Sequence, residues 1–140
     1  MMIGIGIGRF ILALALILAL AGEACASGLR FSVVASGSSN TCALDTDGRA
    51  YCWGFGRYGT NGSGSGADWP VPNPVDAGGR RFTRLAMLGF HACAIDTTQQ
   101  VWCWGANYTG AAGSELGEVL SPQRVDGAGP AVDIAVGWSH

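Results

Sequence analysis

The chain repeats itself, and the repeat bounds what it can fold into. Cys42-Ala43-Leu44-Asp45 returns as Cys93-Ala94-Ile95-Asp96, Cys52-Trp53-Gly54 as Cys103-Trp104-Gly105, and Gly62 as Gly113. The offset is 51 at each landmark: 42 to 93, 52 to 103, 54 to 105, 62 to 113. At periods of this order each unit is one supersecondary motif that cannot bury its own apolar face and must stack on a neighbour. Phe31 to Gly37 aligns with Phe82 to Leu88 and with Ala131 to Gly137, each a short apolar strand candidate. Asn40, His91 and His140 follow at equivalent positions, so the sequence stops inside a third copy. The units expected are 31–81, 82–130 and the start of a third at 131–140.

Strands rather than helices fill these units. Gly is high at 23 residues without a strict three-residue period, and it is interleaved with aromatics, which suits a turn-rich β protein. Ser63 to Ala67 and Trp69 to Pro74 read as loop, because Gly is entropically costly in regular structure and Pro lacks the backbone donor. No helix is expected over residues 27–140, and the fold class is all-β.

The cysteines fit this reading. Asp45 to Arg49 has the form of a three-residue hairpin loop with Gly48 in the left-handed position. Counting outward, Leu44 faces Ala50, Ala43 faces Tyr51 and Cys42 faces Cys52. The ladder alternates, so the cysteines fall at a non-hydrogen-bonded pair, where Cα atoms lie about 4.5 Å apart, within disulfide range. The same count pairs Cys93 with Cys103. Gln99 stands where Gly48 stood, so the second turn is expected to differ. Closing so short a loop contributes about 3 kcal/mol in the chain-entropy model. Zinc binding by these cysteines and His91 is the rival, but no C-x-x-C pair is present, so neither a metal site nor a cofactor is expected.

Residues 1–26 read as an export signal. Arg9 precedes an unbroken apolar run from Phe10 to Ala21, the length of a signal h-region and short for a membrane span. Ala24-Cys25-Ala26 fits the A-x-A cleavage pattern, which places the cut between Ala26 and Ser27. That cut removes Cys25 and leaves four cysteines, an even set. Ala19-Leu20-Ala21 is a second option. Lipidation at Cys25 and retention as an uncleaved anchor are the alternatives, and they are the only route by which a membrane enters. A secreted, periplasmic or cell-envelope location follows.

Function is harder to read. All eight basic residues are Arg and the net charge is −2, a poor footprint for nucleic acid. Asp45 and Asp96 are repeat-equivalent strand-end residues, which marks them as structural. Asp68, Glu115 and Glu118 lie in loops without an evident partner, whereas a glycosidase needs paired carboxylates. No G-x-S-x-G elbow is present. No catalytic residues are assigned. His91 and His140 recur, which marks a structural hydrogen-bonder. Trp53 and Trp104 recur, and are expected in the core between repeats. Trp69 does not recur and falls in the loop Ser63 to Pro74, so it is the contact candidate, with a Gly/Ser linker as the alternative reading of that loop.

These residues resemble the regulator-of-chromosome-condensation repeat family, in the form of its exported bacterial members. That pattern is an apolar strand, Gly-x-x-His-x-Cys-Ala-Leu, a Gly-bearing turn, Cys-Trp-Gly-x-Asn and Gly-Gln-Leu-Gly. The second copy carries His91, Cys93, Ala94, Cys103, Trp104, Gly105, Asn107, Gly110 and Gly113. The first carries Gly37, Cys42, Ala43, Leu44, Gly48, Cys52, Trp53, Gly54, Gly59 and Gly62. Thr60-Asn61 and Ala111-Ala112 replace Gln-Leu, Gly56 replaces Asn, and Leu88 replaces Gly. The resemblance implies a β-propeller, of which this sequence holds two repeats and part of a third. It implies a non-enzymatic module that binds a protein or cell-surface partner. The alternatives are an extracellular hydrolase and a truncated gene fragment without independent function.

Overall fold

A computed structural model describes residues 28–114 and 116–140. The expected signal segment, with Cys25, Ala26 and Ser27, lies outside the described residues, as does Glu115. The described chain forms two four-stranded antiparallel meanders. The first contains β1 (Phe31–Ser36), β2 (Asn40–Asp45), β3 (Ala50–Gly54) and β4 (Trp69–Pro74), in that order across the sheet. The second contains β5 (Phe82–Leu88), β6 (His91–Asp96), β7 (Val101–Ala106) and β8 (Glu118–Arg124). Among the described residues the only helical piece is a three-residue 3₁₀ turn, Arg57–Gly59.

The hairpin register follows from the turn. Asp45 N–H donates to the Arg49 carbonyl at 2.9 Å, and Gly48 takes φ +78°. Leu44 then faces Ala50, Ala43 faces Tyr51 and Cys42 faces Cys52. A disulfide joins Cys42 to Cys52 with the Cα atoms 4.1 Å apart, and another joins Cys93 to Cys103 at the same separation. The second turn does not differ, against expectation: Gln99 adopts φ +66° and Asp96 N–H donates to the Gln100 carbonyl at 2.9 Å. The Asp96 carboxylate enforces this geometry. It accepts from the backbone N–H of Thr98 (2.8 Å) and Gln100 (3.0 Å), from the Thr98 hydroxyl (2.7 Å) and from Trp102 Nε1 (2.8 Å). Burial pushes this carboxyl's pKa up, but these hydrogen bonds outweigh it and hold the group below its ordinary value.

The segment Trp69 to Pro74 is a strand, not a loop, and it sits at an edge. Val75 N–H donates to the Ala50 carbonyl, so the odd-numbered donors face β3. Pro70, Pro72 and Pro74 therefore place their missing donors on the outer side, where an edge strand needs none. The third apolar segment, Ala131 to Gly137, joins no ladder among the described residues. A strand needs a partner strand, and none is described beside it. Ile134 and Val136 still pack against the core.

The two sheets stack head to tail. Cross-strand partners share a face, so Ala35, Cys42 and Cys52 lie on one side of the first sheet, with Val33, Leu44 and Ala50. On the second sheet Met87, Ala92 and Trp104 share a side with Leu85 and Ala94. These two faces meet in one apolar core. Trp104 is fully buried in it. Trp53 is not in this core, contrary to expectation. It lies on the outer face of the first sheet, half-buried and stacked on Phe31 at 5.8 Å. No described strand covers that face.

The strained second turn gives a direct check. Left-handed backbone costs a non-Gly residue about 1–2 kcal/mol, and Gly adds back part of that as unfolded-chain entropy. Gln99→Gly is expected to stabilise the chain by about 0.5–1 kcal/mol in urea unfolding. Gly48→Ala is expected to destabilise it, because its Cβ would also sit 2.7 Å from the Phe82 carbonyl oxygen.

Candidate interaction surface

One end of the two sheets collects aromatic side chains. This end carries the β1–β2 and β5–β6 turns and the long connections after β3 and β7. Phe55 and Tyr58 come from the first long connection, Phe90 from the β5–β6 turn and Tyr108 from the second long connection. Their ring centroids are 5.9 Å apart for Phe55 and Phe90, 5.7 Å for Tyr58 and Phe90, and 5.9 Å for Tyr58 and Tyr108. Edge-on aromatic pairs at such spacings add about 0.5–1.5 kcal/mol beyond their burial. Trp138 extends the row: with Phe90 and Tyr108 it lines a cavity of about 160 Å³. Tyr108 and Trp138 are 57% and 66% exposed, so the row presents apolar surface to solvent.

Two local devices hold the row. Tyr58 sits at φ +63°, a conformation that costs a bulky residue about 1–2 kcal/mol. Its ring contacts with Phe55, Phe90 and Tyr108 offset that cost. The second device is an amide that has changed position. In the second connection Asn107 holds the loop: its Nδ2 donates to the Ser114 carbonyl at 3.1 Å, and its Oδ1 accepts from Ala112 N–H at 2.7 Å. Gly56 occupies the equivalent place in the first connection, and a Cβ there would lie 1.7 Å from the Ala67 carbonyl oxygen. Asn61, equivalent to Ala112, supplies the amide instead. Its Nδ2 donates to the carbonyls of Gly54 (3.1 Å) and Ala67 (3.2 Å). The two departures from the family pattern at Gly56 and Asn61 are therefore one compensated exchange.

The segment 138–140 is pinned by Thr109 Oγ1, which donates to the Ser139 carbonyl at 2.9 Å, and by His91 Nε2, which donates to the His140 carbonyl at 3.4 Å. Burial lowers the His91 pKa, with the hydrogen bond opposing it and His140 adding to it. The Tyr108 hydroxyl donates to Glu118 at 3.0 Å, which raises the phenol's pKa. Asp68 accepts from Gly56 N–H at 2.8 Å. Of the acidic residues expected in loops, Asp68 thus has a structural partner, and so does Glu118, which opens β8. Among the described residues no group of three or more His, Cys, Asp or Glu side chains is placed to hold a metal ion.

Trp69 is not part of the row. It opens β4 opposite Gly54, half-buried, with Nε1 donating to Ser63 Oγ at 3.3 Å. Asking which tryptophans lack an aromatic repeat partner selects Trp69 and Trp138, and so reaches one member of the row. The same question put to every aromatic finds it, because repeat partners of Phe55, Tyr58, Phe90, Tyr108 and Trp138 are Ala106, Thr109, Ser39, Arg57 and Gly89.

Comparison with known proteins decides the lineage. The model of the regulator of chromosome condensation (RCC1) repeat matches residues 31–60 and 89–111. The chain belongs to the RCC1 repeat family. The ultraviolet-B receptor UVR8 of Arabidopsis thaliana is 31% identical over 117 residues, covering 81% of this chain and 27% of that protein. The human E3 ubiquitin-protein ligase HERC2 is 37% identical over 76 residues, covering 51% of this chain and 2% of that protein. Yeast RCC1 (Prp20), in its crystal structure bound to Kap60, superposes with a TM-score of 0.72 at 18% identity, over 83% of this chain and 30% of that one. The chain spans less than a third of each, so the RCC1 likeness establishes propeller-type sheets and leaves the activities of those whole proteins with them.

Removing the Asn61 amide should loosen the loop that carries Phe55 and Tyr58. Asn61→Ala leaves two carbonyls without their donor and is expected to cost about 1–3 kcal/mol. Hydrogen exchange should show faster exchange concentrated over residues 55–68, with β6 and β7 unchanged.

Proposed function

We propose that this chain is an exported, non-enzymatic protein-interaction module that docks a partner through the aromatic row. The observation that carries the reading is the row itself. Its five residues interrupt an otherwise repeating pattern, one of them is held in strained backbone, and two are largely exposed. Strain retained at a surface position points to use rather than packing. Aromatic side chains are enriched in protein interfaces and dominate their binding energy. Trp69 lies on the outer strand at the same end and is proposed as a flanking contact. The occurrence of RCC1 repeats in a light receptor and a ubiquitin ligase supports the scaffold reading, since no single chemistry is common to them. The two disulfides support export, because such bonds persist in oxidising compartments. The sequence pattern of residues 1–26 supports the same conclusion.

The test is a crosslinking pull-down from cell-envelope extract with the unmodified chain, a Tyr108→Ala/Trp138→Ala double variant, and Val132→Ala as a control at an exposed apolar site beside the β6–β7 turn, at the opposite end. The double variant is expected to recover at least tenfold less partner, the change that about 1.4 kcal/mol produces. Equal recovery by the double variant and the control would remove the row from the account. A loss on Trp69→Ala as well would place the edge of β4 inside the contact.

A further inference from the structure

The opposite end of the first sheet carries a pocket of different chemistry. It lies between the β2–β3 turn and the β4–β5 connection, holds about 260 Å³, and is walled by Arg49, Tyr51, Pro74, Val75, Arg80 and Arg81. Three of the chain's eight basic residues meet there, in a protein whose net charge is −2.

Two of the guanidinium groups are held in place without an acidic partner. Arg80 lies 3.8 Å over the Trp102 ring, and its Nη1 donates to the Ala77 carbonyl at 2.8 Å. Arg81 Nη1 donates to the Gly79 carbonyl at 2.9 Å. Among the described residues neither has a carboxylate within 4.0 Å. Arg49 stands 4.0 Å from Asp45 and 3.8 Å from Asp47, the outer limit of an ion pair. Asp45 is already engaged by the backbone N–H of Asp47 and Arg49. Positive charge is therefore in surplus, and its carriers are pre-positioned, which lowers the ordering cost of binding an anion. The floor is apolar, made by Ala50, Pro74, Val75 and Ala77. It is poor in donors: Pro74 has no N–H, and the N–H groups of Val75 and Ala77 are spent on the Ala50 and Val75 carbonyls.

The geometry points to a binding site for a carboxylate with a short apolar tail. A guanidinium fork matches the two oxygens of a carboxylate. A phosphate would turn its remaining oxygens onto this apolar, donor-poor floor, whereas an alkyl tail is suited to it. The volume is below the roughly 300 Å³ at which drug-sized sites begin, so it fits one head group and one side chain. The C-terminal residue of a peptide and a free small organic acid share this chemistry. The site is independent of the aromatic row and stands or falls apart from it.

The experiment is an NMR titration of the purified chain with four probes: hexanoate, hexanamide, N-acetyl-Gly-Leu with a free C-terminus, and the same peptide amidated. Saturable shifts at the Ala77 and Gly79 amides are expected with the two acids and not with the two amides. Arg81→Gln should weaken binding at least tenfold, while Arg124→Gln, which removes the partner of Asp126, should leave it unchanged. Binding of the peptide acid tenfold tighter than hexanoate assigns the site to protein termini, and equal binding assigns it to small acids. Equal shifts from hexanoate and hexanamide, or none from either acid, would overturn the inference on the unmodified chain, whatever the variants do.

Discussion

Trp104 is the contact on which the two sheets depend. It is fully buried where the face of β5–β8 meets the cysteine-bearing face of β1–β3. Gly62 lets it in: a Cβ at that position would lie 2.9 Å from the indole and 3.0 Å from Val75, and the backbone there runs at φ +59°. The seat is made by the first repeat and the wedge by the second, so neither unit completes its core alone. Among the described residues the indole Nε1 finds no hydrogen-bond partner, a cost of about 1–3 kcal/mol that the apolar burial must exceed. The disulfides act at a different level. Each fixes a hairpin, and the stacked faces then hold the hairpins to each other.

This arrangement separates scaffold from surface. Residues that recur with the period make strands, turns and the interface between sheets. Residues that break the period gather at the ends, the aromatic row at one and the arginine pocket at the other. Tyr58 shows the division most clearly. Its repeat partner is Thr109, which is absent from the positive-φ residues, so the strained backbone belongs to the row and not to the repeat.

Much of the fold was legible because its determinants are local. The spacing from Cys42 to Cys52 and from Asp45 to Arg49 defines register by counting, and counting needs no tertiary information. Gln99 escaped because propensity argued against it, while the hydrogen bonds of the Asp96 carboxylate within its own hairpin, which propensity does not count, decided the turn. Trp53 escaped because a repeat position fixes which way a side chain points and not what lies opposite. The exchange between Gly56 and Asn61 read as two losses, since a one-dimensional alignment cannot show that two loop positions share one space. The strand at Trp69 to Pro74 was masked by three prolines whose alternation is what makes an edge acceptable. The aromatic row escaped because its members are spread over residues 55 to 138 and meet only once the sheets stack.

Stability set by the neighbouring sheet, rather than by the repeat itself, is the central claim, and the two recurring tryptophans test it. Urea unfolding of Trp104→Ala and Trp53→Ala compares identical substitutions at equivalent positions. A buried Trp removed from a packed core costs about 3–5 kcal/mol. Trp104→Ala is predicted to lose that much and Trp53→Ala no more than about half of it. Equal losses would mean that each repeat carries its own stability, and would contradict the account.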